Sequence, residues 1–285
     1  MSEQRSKKDY GLGSVKTALS VDEVARQAGR IAAQGPDRKA LVALADGAPR
    51  LHIESLTAGY GRMEILHQVD LYVGQGQSLC LIGPNGAGKS TVLHSIYGFT
   101  NITGGHIHMG EREITHLSAK DKLRHARIAY ILQDNSVFPD MTVEENLNMG
   151  GYLLNNRQAV HEATEQVLEK YPRLGERRRQ RAGVLSGGER RLLEISRALI
   201  MQPEVLLVDE PSIGLEPRYI DRVFEILDDL QHQDGKTIVL VEQNATKGLE
   251  FADIGYVLVS GQVAMAGHGE ELLENPEVER LFLGG

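Results

Sequence analysis

Cysteine is almost absent: Cys80 is the single one among 285 residues. An internal disulfide is excluded, and the place of Cys80 within an apolar run marks it as a small core residue of a chain suited to a reducing cytosol. No apolar run approaches the roughly 18 residues that a membrane-spanning helix needs, so the chain is not expected to cross a bilayer itself. Positive charge is also short, with 31 Lys and Arg against 39 Asp and Glu and a net charge of −8. That balance argues against a general nucleic-acid binder. Met1 to Lys8 form a charged start with no apolar h-region behind it, so no secretory signal is expected. The hydrophobic share, 41% of residues, suffices for one large α/β domain or for a core with an inserted lobe.

The stretch Gly83-Pro84-Asn85-Gly86-Ala87-Gly88-Lys89-Ser90-Thr91 organises the rest. It fits G-x-x-x-x-G-K-[ST], comes after the apolar run Ser78 to Ile82, which predicts a buried strand, and precedes Thr91 to Tyr97, which predicts a helix. In that setting the glycines let several N–H groups converge on phosphates and the helix N-terminus adds its positive dipole end. Lys89 reaches the β and γ phosphates, and Ser90 can ligate magnesium.

Residues 1 to about 48 differ from the remainder of the chain and read as an N-terminal extension, helical or partly disordered. Ser20 and Glu23 are spaced as a capping box before apolar Val21 to Ala32, Gly35-Pro36 ends that helix, and a second short helix is expected over Lys39 to Ala45. A docking arm for a partner and a loosely packed extension are both compatible with this pattern. From Leu51 the apolar residues alternate, Ala58 to Gly61 reads as a turn, and Ile65 to Val73 resumes the strand pattern. Tyr60 in that turn could stack on an adenine or simply pack. Ile128 to Leu132 reads as a buried strand ending at Gln133, where α/β sheets carry ligand chemistry. Thr142 to Glu145 form a capping box, and the helical period from Gln158 to Tyr171 predicts a helical lobe inserted in the core. Arg177 to Arg181 could contact phosphate or lipid, or form a solvated face paired with acids.

Leu185-Ser186-Gly187-Gly188-Glu189 precedes a helix expected over Arg190 to Met201, a second anion-binding geometry at a helix start. Val205 to Val208 reads as a buried strand ending in Asp209-Glu210, a magnesium ligand and then a carboxylate able to orient or deprotonate water. Thr237 to Val241 is another buried strand, ending at Glu242-Gln243. Two strands around Ser260-Gly261 suggest a closing hairpin.

In this order and spacing the motifs resemble the ATP-binding cassette family over about residues 50 to 285. Met141 to Leu147, Gln180 to Gly183, Val241 to Ala245 and the ending Phe282 to Gly285 are similar to the LivF type of ATPase subunit of branched-chain amino acid importers and their amide or urea relatives. The resemblance implies a P-loop NTPase core, a mostly parallel sheet flanked by helices, with an antiparallel β subdomain and an α-helical subdomain at about 134–184. It implies ATP and Mg2+, with Tyr60 stacking on adenine, the loop from Gly83 to Thr91 on the phosphates, and Ser90, Gln133 and Asp209 around the magnesium. Glu210 would be the catalytic carboxylate, assisted by Gln133 and Gln243, and Ser186, Gly187 and Gly188 would complete the nucleotide site of a second ATPase subunit. Further implied partners are two membrane-spanning permease subunits and, indirectly, a solute-binding protein, at the cytoplasmic face of the inner membrane.

Two positions depart from the broad family pattern: Gln243 stands where a histidine is usual, and Leu215-Glu216 where Leu-Asp is usual. The amide donates a hydrogen bond without charge, and the carboxylate is one methylene longer. The LivF-like type shares the Gln. Residues 1–48 have no counterpart in the resemblance. Cassette ATPases of lipopolysaccharide transport and soluble non-transport cassettes remain alternatives, whereas a small-molecule kinase leaves Leu185 to Glu189 unexplained.

Overall fold

The period of the apolar residues decides which strand joins which of two sheets. The computed structural model describes residues 35–133 and 136–283. The helix and capping box expected between residues 20 and 34, and the final Gly284-Gly285, lie outside them. Strands β1 (Pro49–Tyr60), β2 (Met63–Gly74), β4 (Asn101–Met109) and β5 (Arg112–Glu113) make an antiparallel sheet in the order β2-β1-β4-β5. Alternation along β1, with Leu51, Ile53, Leu56 and Ala58 fully buried, is what a sheet with one covered face requires.

The continuous apolar runs build the second sheet. In β3 (Ser78–Ile82), β7 (Val205–Asp209) and β8 (Thr237–Val241) every residue is buried, the pattern of parallel strands covered on both faces. With β6 (Ile128–Ile131), β9 (Ile254–Val259) and β10 (Gln262–His268) they form the order β10-β9-β3-β8-β7-β6. All neighbours are parallel except the closing β9-β10 hairpin.

The boundaries at Tyr60 and Leu132 differ from the sequence reading. The β1 pairing runs through Tyr60, opposite Met63, so Tyr60 ends a strand and the turn falls at Gly61-Arg62. Register shifts along β1 blur the alternation that would have shown this. Strand β6 lies at the sheet edge and stops at Ile131, leaving Leu132 42% exposed.

Helices Val143–Gly150, Arg157–Lys170 and Pro172–Gly175 pack around a core of their own that includes Val143, Leu147, Val167, Leu168 and Leu174. Thr142 caps the first of them with a full capping box with Glu145. The helix Gly187–Leu199 gives Leu193 to this core and Ile195 to the core under the parallel sheet. Arg178 pairs with Glu144 and Glu165, and Arg177 with Glu189, so two members of the arginine run face acids of the lobe. Before β1, the helix Arg38–Ala43, capped by Asp37, buries Leu41 in the core under the antiparallel sheet.

The sheets are tied by a hydroxyl. Tyr256 on β9 is fully buried, and its phenol accepts the backbone N–H of Tyr72 on β2 at 3.1 Å. Burial pushes the phenol far above its ordinary pKa, so it stays neutral. Tyr256→Phe removes that acceptor and strands a buried N–H. It is expected to destabilise the protein by about 1–2 kcal/mol in urea unfolding, with the m-value unchanged.

Candidate functional site

Strands β3, β7 and β8 end level with one another, with Leu81 and Asp209 both paired to Val241. The loops leaving these strands therefore gather at one edge. After β3 the loop runs to Gly88, which takes a left-handed φ of 100° as the N-cap of the helix Lys89–Tyr97. A side chain there would be strained and would put its Cβ 2.8 Å from Leu66 Cδ2.

A cavity of about 480 Å³ opens at this edge, lined among others by Asn85, Lys89, Ser90, Gln133, Glu210 and Gln243. Lys89 is 6% exposed, and its ammonium donates to the carbonyls of Gly83 at 2.9 Å and Pro84 at 3.2 Å. Burial lowers its pKa, against the opposing pull of Glu210 and Asp209. An anion held beside it would offset that desolvation.

Asp209 is 3% exposed, and both of its oxygens are occupied. Ser90 Oγ donates to Oδ1 at 3.0 Å and the Tyr130 hydroxyl to Oδ2 at 2.8 Å. Burial, and then the Asp209 carboxylate, push the Tyr130 phenol well above its ordinary pKa, so it remains a donor. Glu210 comes next with a left-handed φ of 43°, a conformation costing on the order of 1 kcal/mol in a non-glycine residue. Its N–H donates to Val241 O at 2.8 Å, and its Oε2 accepts from Gln133 Nε2 at 2.8 Å.

These donors suit a polyphosphate carrying a hard cation. The loop amides, the helix end and Lys89 are cationic or donors, and Ser90 with Asp209 offers two oxygens to a metal. Among the described residues no group of three or more His, Cys, Asp or Glu could hold a metal ion. A magnesium ion held by Ser90 and Asp209 would have to take phosphate oxygens as further ligands.

Tyr60 does not line this cavity. Its hydroxyl bonds to Nδ1 of His94, one turn beyond Ser90 on the same helix, and 41% of the residue is exposed. Ser186, Gly187 and Gly188 are also elsewhere. Ser186 caps the helix Gly187–Leu199 in a full capping box with Glu189, so the two glycines lie inside its first turn and the helix begins three residues before the expected Arg190. Gly187 lines a neighbouring cavity with Gln133 and Pro211, while Ser186 and Gly188 line a third with Arg173 and Tyr219. One chain thus brings the phosphate loop, Gln133, Glu210 and Gln243 to one cavity, with Asp209 hydrogen-bonded to Ser90 behind its lining, and keeps the Ser186 to Gly188 segment out of it.

Three residues of this edge have no role assigned from the sequence: Tyr130, Arg191 and Glu242, the last within the LivF-like stretch Val241 to Ala245. Arg191 is 5% exposed, pairs with Glu194 at 2.8 Å, and donates to Leu132 O at 2.8 Å and Asp209 O at 3.4 Å. A charged i, i+3 pair inside an apolar helical stripe was the available hint.

The profile of the family described as ABC transporter matches residues 66–213. The high-affinity branched-chain amino acid transport ATP-binding protein BraG of Pseudomonas aeruginosa is 42% identical over 235 residues, covering 82% of this chain and 100% of that one. A probable branched-chain amino acid transport ATP-binding protein LivF of Archaeoglobus fulgidus is 38% identical over 82% of this chain and 98% of its own. A crystal structure of a nucleotide-free ATP-binding cassette from an ABC transporter superposes with a TM-score of 0.73 at 28% identity, covering 83% of this chain and 100% of that chain.

Gly188 faces Tyr219 so closely that an added Cβ would lie 2.3 Å from the ring carbon Cδ1. Gly188→Ala is accordingly expected to destabilise the protein by about 1–3 kcal/mol through overpacking. Adding Tyr219→Ala should make the glycine substitution nearly neutral in thermal unfolding, and equal losses in both backgrounds would refute the contact.

Proposed function

The chain belongs to the ABC transporter family, and on that footing we propose that this ATPase energises an importer of branched-chain amino acids or related small polar solutes such as amides and urea. The observation supporting hydrolysis is the single cavity that gathers Lys89, Ser90, Gln133, Glu210 and Gln243. The importer assignment rests on likeness to BraG and LivF along nearly their whole length.

In this reading the loop from Gly83 to Thr91 holds the phosphates through its amides and Lys89, and Tyr60 supplies an aromatic face for the adenine. Ser90 and Asp209, with Gln133 beside them, would hold magnesium, which neutralises charge on the phosphate oxygens. Gln133 orients Glu210 through their hydrogen bond, and Glu210 accepts a proton from the attacking water. Gln243 donates an uncharged hydrogen bond to the terminal phosphate. Ser186, Gly187 and Gly188 serve the nucleotide of a second ATPase subunit, since their own chain keeps them out of its phosphate cavity.

Among the described residues no helix is long and apolar enough to cross a membrane. We place the protein on the cytoplasmic face of the inner membrane, against two membrane-spanning subunits that a solute-binding protein serves in turn. A groove of about 360 Å³ between β6 and the helical lobe, lined by Tyr97, Leu132, Phe138, Met149 and Tyr152, is the face for a short helix of those subunits. Phe138, Met149 and Tyr152 are 45%, 41% and 66% exposed, and the groove adjoins Gln133, so nucleotide and partner are felt on the same segment. Residues 1–48 precede the cassette in this reading, with the helix Arg38–Ala43 packed on its antiparallel sheet through Leu41.

In the assembled complex, cysteine at Tyr152 or Met149 should crosslink to cysteines in the cytoplasmic loops of the membrane subunits. Glu210→Gln should abolish uptake of labelled leucine with ATP affinity kept within about twofold. Crosslinks confined to residues 1–48 would overturn the docking face. Uptake that is intact in Glu210→Gln would overturn the role of that carboxylate.

A further inference from the structure

Glu242 lies just past β8 and is 2% exposed. One of its oxygens gathers three donors: Oε1 accepts from the Ser212 hydroxyl at 2.7 Å, the Gln243 N–H at 2.9 Å and the Asn244 N–H at 3.0 Å. Space for the side chain comes from Gly248 in the next helix, where an added Cβ would lie 3.2 Å from Glu242 Cβ and 2.6 Å from Cys80 Sγ. Ser212 is itself 8% exposed and stands two residues after Glu210. The carboxylate therefore joins the segment leaving Glu210 to the segment carrying Gln243, beside the Glu210 N–H bond to Val241 O.

A protonated histidine at position 243 would be drawn toward a phosphate by its charge. An amide has only a dipole, so its backbone must be aimed in advance, as donors that stabilise developing charge are. We propose that Glu242 is the positioning residue that aims Gln243 at the terminal phosphate and couples it to the loop after Glu210. This rests on reading Gln243 as a phosphate contact. Lys89 and the loop amides do not touch Glu242, so removing its carboxylate slows hydrolysis and spares nucleotide binding.

The test uses the full chain in the assembled complex, with single-turnover ATP hydrolysis and nucleotide affinity measured separately. Glu242→Ala should lower the hydrolysis rate by at least about tenfold, less than the roughly hundredfold that outright loss of a preorganised donor costs, with ATP affinity within about twofold. Glu242→Gln keeps a carbonyl oxygen able to take the place of Oε1 and should recover most of that rate. In a Gln243→Ala background the Glu242→Ala loss should disappear, because two residues acting as one unit are not additive.

If Glu242→Ala does not fold, Ser212→Ala removes one donor alone and should give a smaller loss that likewise vanishes with Gln243→Ala. Losses that multiply in the double variant, or an affinity loss equal to the rate loss, would overturn the proposal. Gln243→Ala with an unchanged rate would overturn both this role and the phosphate contact. A slow Gln243→Ala beside a normal Glu242→Ala would overturn this role only.

Discussion

Asp209 is the point on which the nucleotide edge depends. Its two carboxylate oxygens accept from Ser90 on the phosphate-loop helix and Tyr130 on β6, and its carbonyl accepts from Arg191 on the helix that begins at Gly187. Three elements far apart in sequence are thus referenced to one buried residue at the end of a central strand. Both donors are neutral hydroxyls, so these contacts orient the carboxylate without pairing it with a positive charge.

The same economy of contacts links the helical lobe to the core. Arg191 and Glu194 form a buried pair whose remaining valences go to the chain on either side of Gln133: Arg191 to Leu132 O at 2.8 Å and Glu194 to the Ser136 N–H at 3.0 Å. Such a pair contributes little net stability against an apolar substitute, but losing one partner leaves a buried charge and costs about 3–5 kcal/mol. It therefore specifies one placement of the segment carrying Gln133. A helix that also contributes to two hydrophobic cores makes the lobe and the sheet edge answer to each other.

Much of this was legible in the sequence because it is local. The phosphate loop is a fixed spacing between strand and helix, and the fully buried strands read as unbroken apolar runs because both faces are covered. What was not legible depends on pairs distant in sequence: Tyr256 with Tyr72, 184 positions apart, and Tyr130 with Asp209, 79 apart. Tyr60 was read in a turn because register shifts along β1 break the period of two. Glu242 was read only as the residue that follows a buried strand, and only the fold shows Ser212 and two backbone amides converging on it. Gln133, Glu210 and Gln243 were named from resemblance, and their gathering around one cavity results from β6, β7 and β8 being parallel neighbours whose following loops leave the same edge of the sheet.

The separation of Ser186 and Gly188 from the phosphate cavity leads to the sharpest test, because a nucleotide completed by another chain must hold two chains together. The measurement is the mass of the full chain by light scattering after size exclusion, with and without ATP and magnesium. Glu210→Gln, which should bind nucleotide without turning it over, is expected to pass from monomer to dimer on adding ATP, and Lys89→Ala to remain monomeric. A Glu210→Gln chain that binds ATP yet shows no ATP-dependent pairing, alone or within the assembled complex, would contradict the shared site.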